Sequence, residues 1–242
     1  MRAVTVLLLH GSADSPRCWA GVQRLLEERG IATHAPPLPA APDVGAALEA
    51  DLPWLAEQIE ALGGAVDLVA HSYGALLALR FSLSQPAAVR RLGLIEPIAF
   101  ALLNGTPARD GIDQLNARFF GGLDAGRDAA AVRGLVDYWN GVGAFDSLSG
   151  GARSRLMAKL PRTRAEVASG RDDATTAAEL EGLGMPAFVL AGEHTTAESK
   201  AVCRTLAGAI DAPFDLIRGA GHQGPRTHPE PVAAAIVALL RR

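Results

Sequence analysis

Residues 66–79 read Val-Asp-Leu-Val-Ala-His-Ser-Tyr-Gly-Ala-Leu-Leu-Ala-Leu. The apolar run before His71 is typical of a buried strand, and the run after Gly74 of a helix. A serine at such a strand-to-helix turn has a strained backbone, so the residues two before and two after it must be small. Ala70 and Gly74 meet that demand. The stretch therefore predicts an elbow that presents Ser72 as a nucleophile, the alternative being an ordinary helix N-cap serine.

The same alternation of strand and helix extends in both directions from this elbow. Strands with little polar alternation that are separated by helices predict a parallel α/β sheet of about six strands with helices on both faces. The strands are predicted at residues 4–9, 31–35, 66–71, 91–96, 187–192 and 214–218, and the helices at 15–29, 46–62, 73–84, 197–209 and 229–240.

Residues 99–184 interrupt this rhythm, since they contain short helical patterns and no clear buried strand. Connections in α/β units are normally only a few residues long. We therefore predict a single structural domain whose core comprises residues 1–98 and 185–242, with a helical cap insertion at 99–184 over the carboxyl ends of the strands. The alternative is a long crossover of packing helices with no role near a site.

The charge and hydropathy of the sequence limit the kinds of binding partner that can be expected. The 242 residues contain 23 Lys+Arg and 26 Asp+Glu, a net charge of −3 with no long run of either sign. This balance gives no reason to expect nucleic acid or an anionic membrane as the main partner, so a small-molecule substrate is expected. No apolar stretch approaches the roughly 20 residues that a membrane helix needs. The sequence does not indicate an oligomeric state.

Cysteine usage indicates the compartment. Cys18 and Cys203 stand far apart, in neither a disulfide framework nor a zinc-binding spacing. We therefore expect a cytoplasmic protein. Nothing in the sequence suggests a metal or an organic cofactor.

A serine hydroxyl is a poor nucleophile until a base removes its proton. The best candidate base is His222, which follows the predicted strand at 214–218 in the glycine-rich segment Gly219-Ala220-Gly221. Glycines let such a loop turn tightly and approach other backbone closely. His228 lies nearby but is better explained as a helix-start residue.

These features together resemble the α/β-hydrolase superfamily: His10-Gly11 after the first strand, the elbow at Ser72, Glu96-Pro97 after the next strand, the strand that ends near Glu193, and Gly221-His222. The resemblance covers nearly the whole chain except the insertion, which corresponds in position to the family's variable cap. It implies a compact core of six strands that lacks the family's leading antiparallel hairpin.

The resemblance also implies an oxyanion hole. Carried over to this sequence, its donors are the backbone N–H groups of Ser12, after the first strand, and Tyr73, after the nucleophile. Such donors lie where negative charge develops on the substrate, and each is typically worth about 10²- to 10³-fold in rate.

The acid of the expected triad departs from the commonest family pattern. Where the family often has Gly-Glu-x-Asp, this chain has Gly-Glu-His-Thr at residues 192–195. The neutral Thr195 cannot stabilise an imidazolium as a carboxylate does. We predict that Glu96, at the end of the strand after the elbow, is the acid. Glu193 is the second choice, and a Ser-His pair without an acid is the third.

The expected activity is that of a serine hydrolase, cleaving a carboxylic ester or a related acyl bond of a small molecule through an acyl-enzyme on Ser72. Carbon–carbon bond or peptide hydrolysis on the same core is an alternative. A hydrolase-like binding protein without turnover is another, because of Thr195.

Overall fold

The computed structural model describes residues 5–40 and 45–242. Six parallel strands form one sheet in the order β2-β1-β3-β4-β5-β6. They are β1 (Thr5–Leu9), β2 (Ala32–His34), β3 (Val66–His71), β4 (Val89–Ile95), β5 (Ala187–Gly192) and β6 (Phe214–Ile217). This confirms the predicted six-stranded parallel sheet, although residue 4 of the first predicted strand lies outside the described residues.

Helices connect the strands. They are α1 (Ala20–Glu27), α2 (Leu48–Ala61), α3 (Tyr73–Ser84), α4 (Pro107–Asp124), α5 (Asp128–Asn140), α6 (Ala144–Ser147), α7 (Gly150–Ala158), α8 (Leu160–Asp172), α9 (Ala177–Leu180), α10 (Ala197–Ala209), α11 (Gly224–Thr227) and α12 (Pro229–Leu239). The helix predicted at 15–29 is instead a short 3-10 helix, Pro16–Trp19, followed by α1.

Both faces of the sheet are buried, as the apolar strands require. In β1, Val6 and Leu8 belong to a cluster with side chains of α1 and α12. Leu7 and Leu9 point to the opposite face and belong to the main core with α2, α3 and α10. Successive side chains of a strand alternate between faces, so an unbroken apolar run fits a sheet covered on both sides.

Helices α4–α9 lie between β4 and β5, within the segment predicted as an insertion. Two of the short helical patterns in the sequence of this segment span residues 112–120 and 129–138, and they lie inside α4 and α5. Leu115 and Phe119 of α4 pack with Ala131 and Leu135 of α5 in a small cluster of their own. We call residues 99–184 the helical insertion.

From β1 the chain adds β2 on one side and then β3 on the opposite side, so the direction in which strands are added to the sheet reverses between β1 and β3. In open α/β sheets, ligands bind beyond the carboxyl ends of the strands at such a switch point. The elbow at Ser72 follows β3 and therefore lies there.

Among the helices that the structure describes, none combines the length and the hydropathy required to span a bilayer.

Candidate active site

The turn between β3 and α3 is strained and tightly packed. Ser72 has φ 55° and ψ −120°, an unfavourable conformation for a residue with a side chain. A Cβ atom at Gly74 would lie 2.5 Å from the carbonyl oxygen of His10. One at Gly11 would lie 2.8 Å from the Ser72 Cβ atom. The two glycines thus let the loop after β1, which continues into Ser12, pass directly beside Ser72.

The structure brings Ser72, His222 and Glu96 together. The Nε2 atom of His222 lies 3.2 Å from the Ser72 Oγ atom, and its Nδ1 atom lies 2.6 Å from Glu96 Oε2. A carboxylate can only accept hydrogen bonds, so Nδ1 carries the proton and Nε2 accepts from the serine hydroxyl. Ser72 is 6% exposed, His222 5% and Glu96 1%.

Three other groups donate hydrogen bonds to Glu96. The Gly192 N–H donates to Oε1 at 2.8 Å, and the hydroxyls of Thr195 and Ser199 donate to Oε2 at 2.6 and 2.8 Å. Burial raises the pKa of Glu96, but the His222 charge and the hydrogen bonds from His222, Thr195 and Gly192 outweigh burial and lower the pKa to about 2. Glu96 is therefore ionised at neutral pH. Thr195, at the family's usual acid position, donates to the acid.

Glu193 and His228 lie elsewhere. The Glu193 side chain is exposed, accepts a hydrogen bond from the Gly219 N–H at 2.8 Å and lies 3.8 Å from His194. Its carboxylate makes no contact with His222 within hydrogen-bond distance. His228 immediately precedes α12, as predicted. The second-choice acid is thus not brought to the candidate base.

Two aromatic rings enclose the His222 imidazole. His71 Nε2 lies 2.8 Å from the His222 carbonyl oxygen and donates to it. Burial, aided by the nearby His222, lowers the pKa of His71 to about 3, so this ring is neutral. From α5, Trp139 stacks on the imidazole with 4.5 Å between ring centroids and 28° between planes. The position of the imidazole is thereby fixed from both the core and the helical insertion.

A buried charged cluster joins the elbow to α8 of the helical insertion. The Tyr73 hydroxyl donates to Asp51 Oδ2 at 2.6 Å, and Arg162 donates to Asp51 Oδ1 at 3.0 Å and to Glu166 Oε1 at 2.8 Å. Both carboxylates are almost fully buried. Arg162 and Glu166 are four residues apart on α8, but the rest of the cluster could not be predicted from the sequence, because Asp51 and Tyr73 lie on two other helices.

A cavity of about 740 Å³ opens onto Ser72 and His222. Ser12 lines it beside them, as does Gln223. The apolar part of its wall comes largely from the helical insertion and the segment leading into it, namely Ile98, Phe100, Leu115, Leu135, Val136, Trp139, Leu148, Leu156 and Val167. A concave site that combines an apolar wall with polar side chains able to orient a ligand is typical of a small-molecule site.

A family model described as "Alpha/beta hydrolase family" matches residues 6–235, nearly the whole chain. The chain belongs to the alpha/beta hydrolase family. The match spans the strands on both sides of the helical insertion, so the six-stranded parallel sheet is the core of an α/β hydrolase.

Solved structures with this fold share little sequence with the hydrolase. A hydrolase from Pseudomonas aeruginosa is 19% identical, with a TM-score of 0.78 and coverage of 99% of this chain and 91% of that one. A bromoperoxidase from Bacillus anthracis is 18% identical, with a TM-score of 0.77 and coverage of 99% and 92%. For a hydrolase from Oleispira antarctica the values are 18%, 0.76, 100% and 92%. No curated protein matches the chain.

Proposed function

We propose that this α/β hydrolase is a serine hydrolase that cleaves a carboxylic ester, or a related acyl bond, of a small molecule. The observation that carries the proposal is the continuous hydrogen-bonded chain from Ser72 Oγ through His222 to Glu96, which opens into the cavity. A hydroxyl, a neutral imidazole and a buried carboxylate in this order are the groups that acyl transfer through a serine requires.

In the first half of the reaction, the Ser72 Oγ atom attacks the carbonyl carbon while His222 Nε2 takes the hydroxyl proton. The imidazolium that forms is stabilised by the Glu96 carboxylate at Nδ1. The carbonyl oxygen becomes an oxyanion, which we assign to the backbone N–H groups of Ser12 and Tyr73. Tyr73 is the first residue of α3, so its N–H has no acceptor within that helix.

Collapse of this intermediate breaks the bond to the leaving alcohol, which receives the proton from His222 Nε2. The acyl group remains on Ser72 as an ester. Water then repeats the sequence: His222 takes its proton, the hydroxide adds to the acyl carbon, and the proton returns to Ser72 Oγ as the carboxylic acid leaves. Each proton is transferred by a side chain of the protein, so we propose that turnover needs no metal or organic cofactor and survives EDTA.

The test is hydrolysis of short p-nitrophenyl esters by purified protein. We expect Ser72→Ala and His222→Ala each to lower kcat by at least about 10³-fold, because members of a triad act as a unit. Ser84→Ala, at the exposed end of α3, is the matched control and should keep the wild-type kcat. Wild-type turnover by Ser72→Ala would show that the proposed nucleophile is wrong.

A further inference from the structure

The cavity beside Ser72 has an unusual balance of charge at its mouth. Its lining includes four cationic side chains, Arg17, Arg155, Lys159 and Arg226, and one carboxylate, Asp14. The whole chain, by contrast, has a net charge of −3. The positive excess is therefore local to this cavity and does not follow from the composition of the protein.

The one carboxylate does not neutralise this group. Asp14 pairs with Arg226 through its side chain and accepts a hydrogen bond from Lys159 Nζ through its backbone carbonyl. Within residues 5–40 and 45–242, neither Arg17 nor Arg155 forms an ion pair or a side-chain hydrogen bond. Both are exposed at the cavity mouth and are available to a ligand.

A buried amide of the same cavity also has no partner. Asn116 of α4 lines the cavity and is 5% exposed, and its Nδ2 atom has no hydrogen-bond partner in the described part of the chain. Leaving a buried donor without an acceptor is unfavourable. An acceptor oxygen of a bound molecule would satisfy it. The buried amide and the basic mouth thus favour the same kind of ligand, one rich in acceptor oxygens.

We infer that the substrate carries, besides the bond that is cleaved, an anionic oxygen group that binds at the Arg155 and Lys159 side of the cavity. This inference rests on the proposed function. A guanidinium offers paired N–H donors that match a carboxylate or a phosphate, and such charge-assisted bonds are stronger than neutral ones. The expected group is therefore an anion with several oxygen acceptors, either a planar carboxylate or a tetrahedral phosphate.

The experiment compares p-nitrophenyl esters of equal chain length. The mono-p-nitrophenyl esters of adipate, pimelate and suberate are measured against the hexanoate, heptanoate and octanoate, and a further series replaces the terminal carboxylate with a phosphonate. A hydrogen bond to a charged group contributes about 1.5–3 kcal/mol. We expect kcat/KM to be about 10- to 100-fold higher for the anionic esters at the best chain length. The better of the two anionic series identifies the anion.

Variants test the residues. Arg155→Gln and Lys159→Gln should each lower the ratio of kcat/KM for the best anionic ester to kcat/KM for the neutral ester by about tenfold. Arg153→Gln is the matched control, because Arg153 lies on α7 with Arg155 but does not line the cavity. Equal kcat/KM for neutral and anionic esters, or equal losses on both in the variants, would overturn the inference.

Failure of the proposed function has a different signature. If no p-nitrophenyl ester of either kind is turned over, binding of monomethyl adipate and of methyl hexanoate is compared by calorimetry. Tighter binding of the adipate that is lost in Arg155→Gln supports the anion site without turnover. Equal binding of the two molecules overturns the site as well.

Discussion

Replacing Glu96 with glutamine removes one charge with little change in shape. The two oxygens of the carboxylate have different surroundings: Oε1 accepts from the Gly192 N–H, whereas Oε2 accepts from the hydroxyls of Thr195 and Ser199 and from His222. A glutamine amide has one acceptor oxygen and one NH₂ donor group, so it cannot serve both sides.

Either orientation of that amide is unfavourable. With its oxygen toward His222, the NH₂ group faces the Gly192 N–H, and unsatisfied buried donors cost about 1–3 kcal/mol of stability. With its NH₂ toward His222, Nδ1 must accept, so Nε2 carries the proton and cannot take one from Ser72. Both orientations also remove the charge that lies 2.6 Å from the imidazole. We expect kcat to fall about 10⁴-fold, as for loss of the carboxylate from a serine triad.

The assay measures kcat and KM for a short p-nitrophenyl ester in wild type, Glu96→Gln and Glu193→Gln, with urea unfolding of each. Glu193→Gln is the matched control, since its carboxylate is exposed and does not contact His222. It should keep kcat within about twofold and change stability by less than about 0.5 kcal/mol. A kcat for Glu96→Gln within tenfold of wild type, or a comparable loss in Glu193→Gln, would refute the assignment of the acid.

Other contacts around the site can be tested in the same way. Arg162→Met should lower the free energy of unfolding, measured in urea, by about 3–5 kcal/mol, because it leaves the two buried carboxylates that pair with Arg162 uncompensated. Arg164→Met removes an exposed ion pair and should lower the free energy of unfolding by less than about 1 kcal/mol. Equal losses of stability in the two variants would contradict this difference. Trp139→Ala should lower kcat/KM for a neutral ester about two- to tenfold through loss of the stacked ring, and an unchanged value would show that the contact with the imidazole is incidental. The pKa of Glu96 is held at about 2, below its usual 4.5, so the ionised carboxylate stabilises the folded protein above pH 4.5, and this stabilisation is lost as pH falls toward 2. Acid titration followed by circular dichroism should therefore show a smaller loss of folding stability in Glu96→Gln than in wild type over this range.

The strands could be predicted where both of their faces are buried. β3 and β5 match the prediction at both ends, because an unbroken apolar run of this length is typical of a strand covered on both sides. β4 begins earlier than predicted, at Val89, since the charged Arg90 makes its start resemble an exposed loop. In the fold, Arg90 and Arg91 both pair with the buried Asp67 of the neighbouring strand. Such a pairing depends on the sheet and leaves no local signal in the sequence.

The residues of the candidate site also differ in whether the sequence could predict them. Ser72 and His222 lie in short segments whose small residues and glycines indicate tight turns of the backbone, so both could be found in the sequence. Glu96 could be preferred to Glu193 because it ends the strand after the elbow and precedes an apolar run, whereas Glu193 lies before the usual acid position. The hydroxyls of Thr195 and Ser199 could not be assigned to Glu96, because they meet it only after a separation of about a hundred residues is closed by folding.

The central claim is that Ser72 is a nucleophile activated by His222. A fluorophosphonate reacts with such a serine and, followed by peptide mapping, identifies the modified residue. We predict stoichiometric modification of the peptide that contains Ser72, slowed strongly in His222→Ala and absent in Ser72→Ala, with ester hydrolysis lost in parallel. Modification of a different serine, or unmodified Ser72 in protein that hydrolyses esters, would contradict the account.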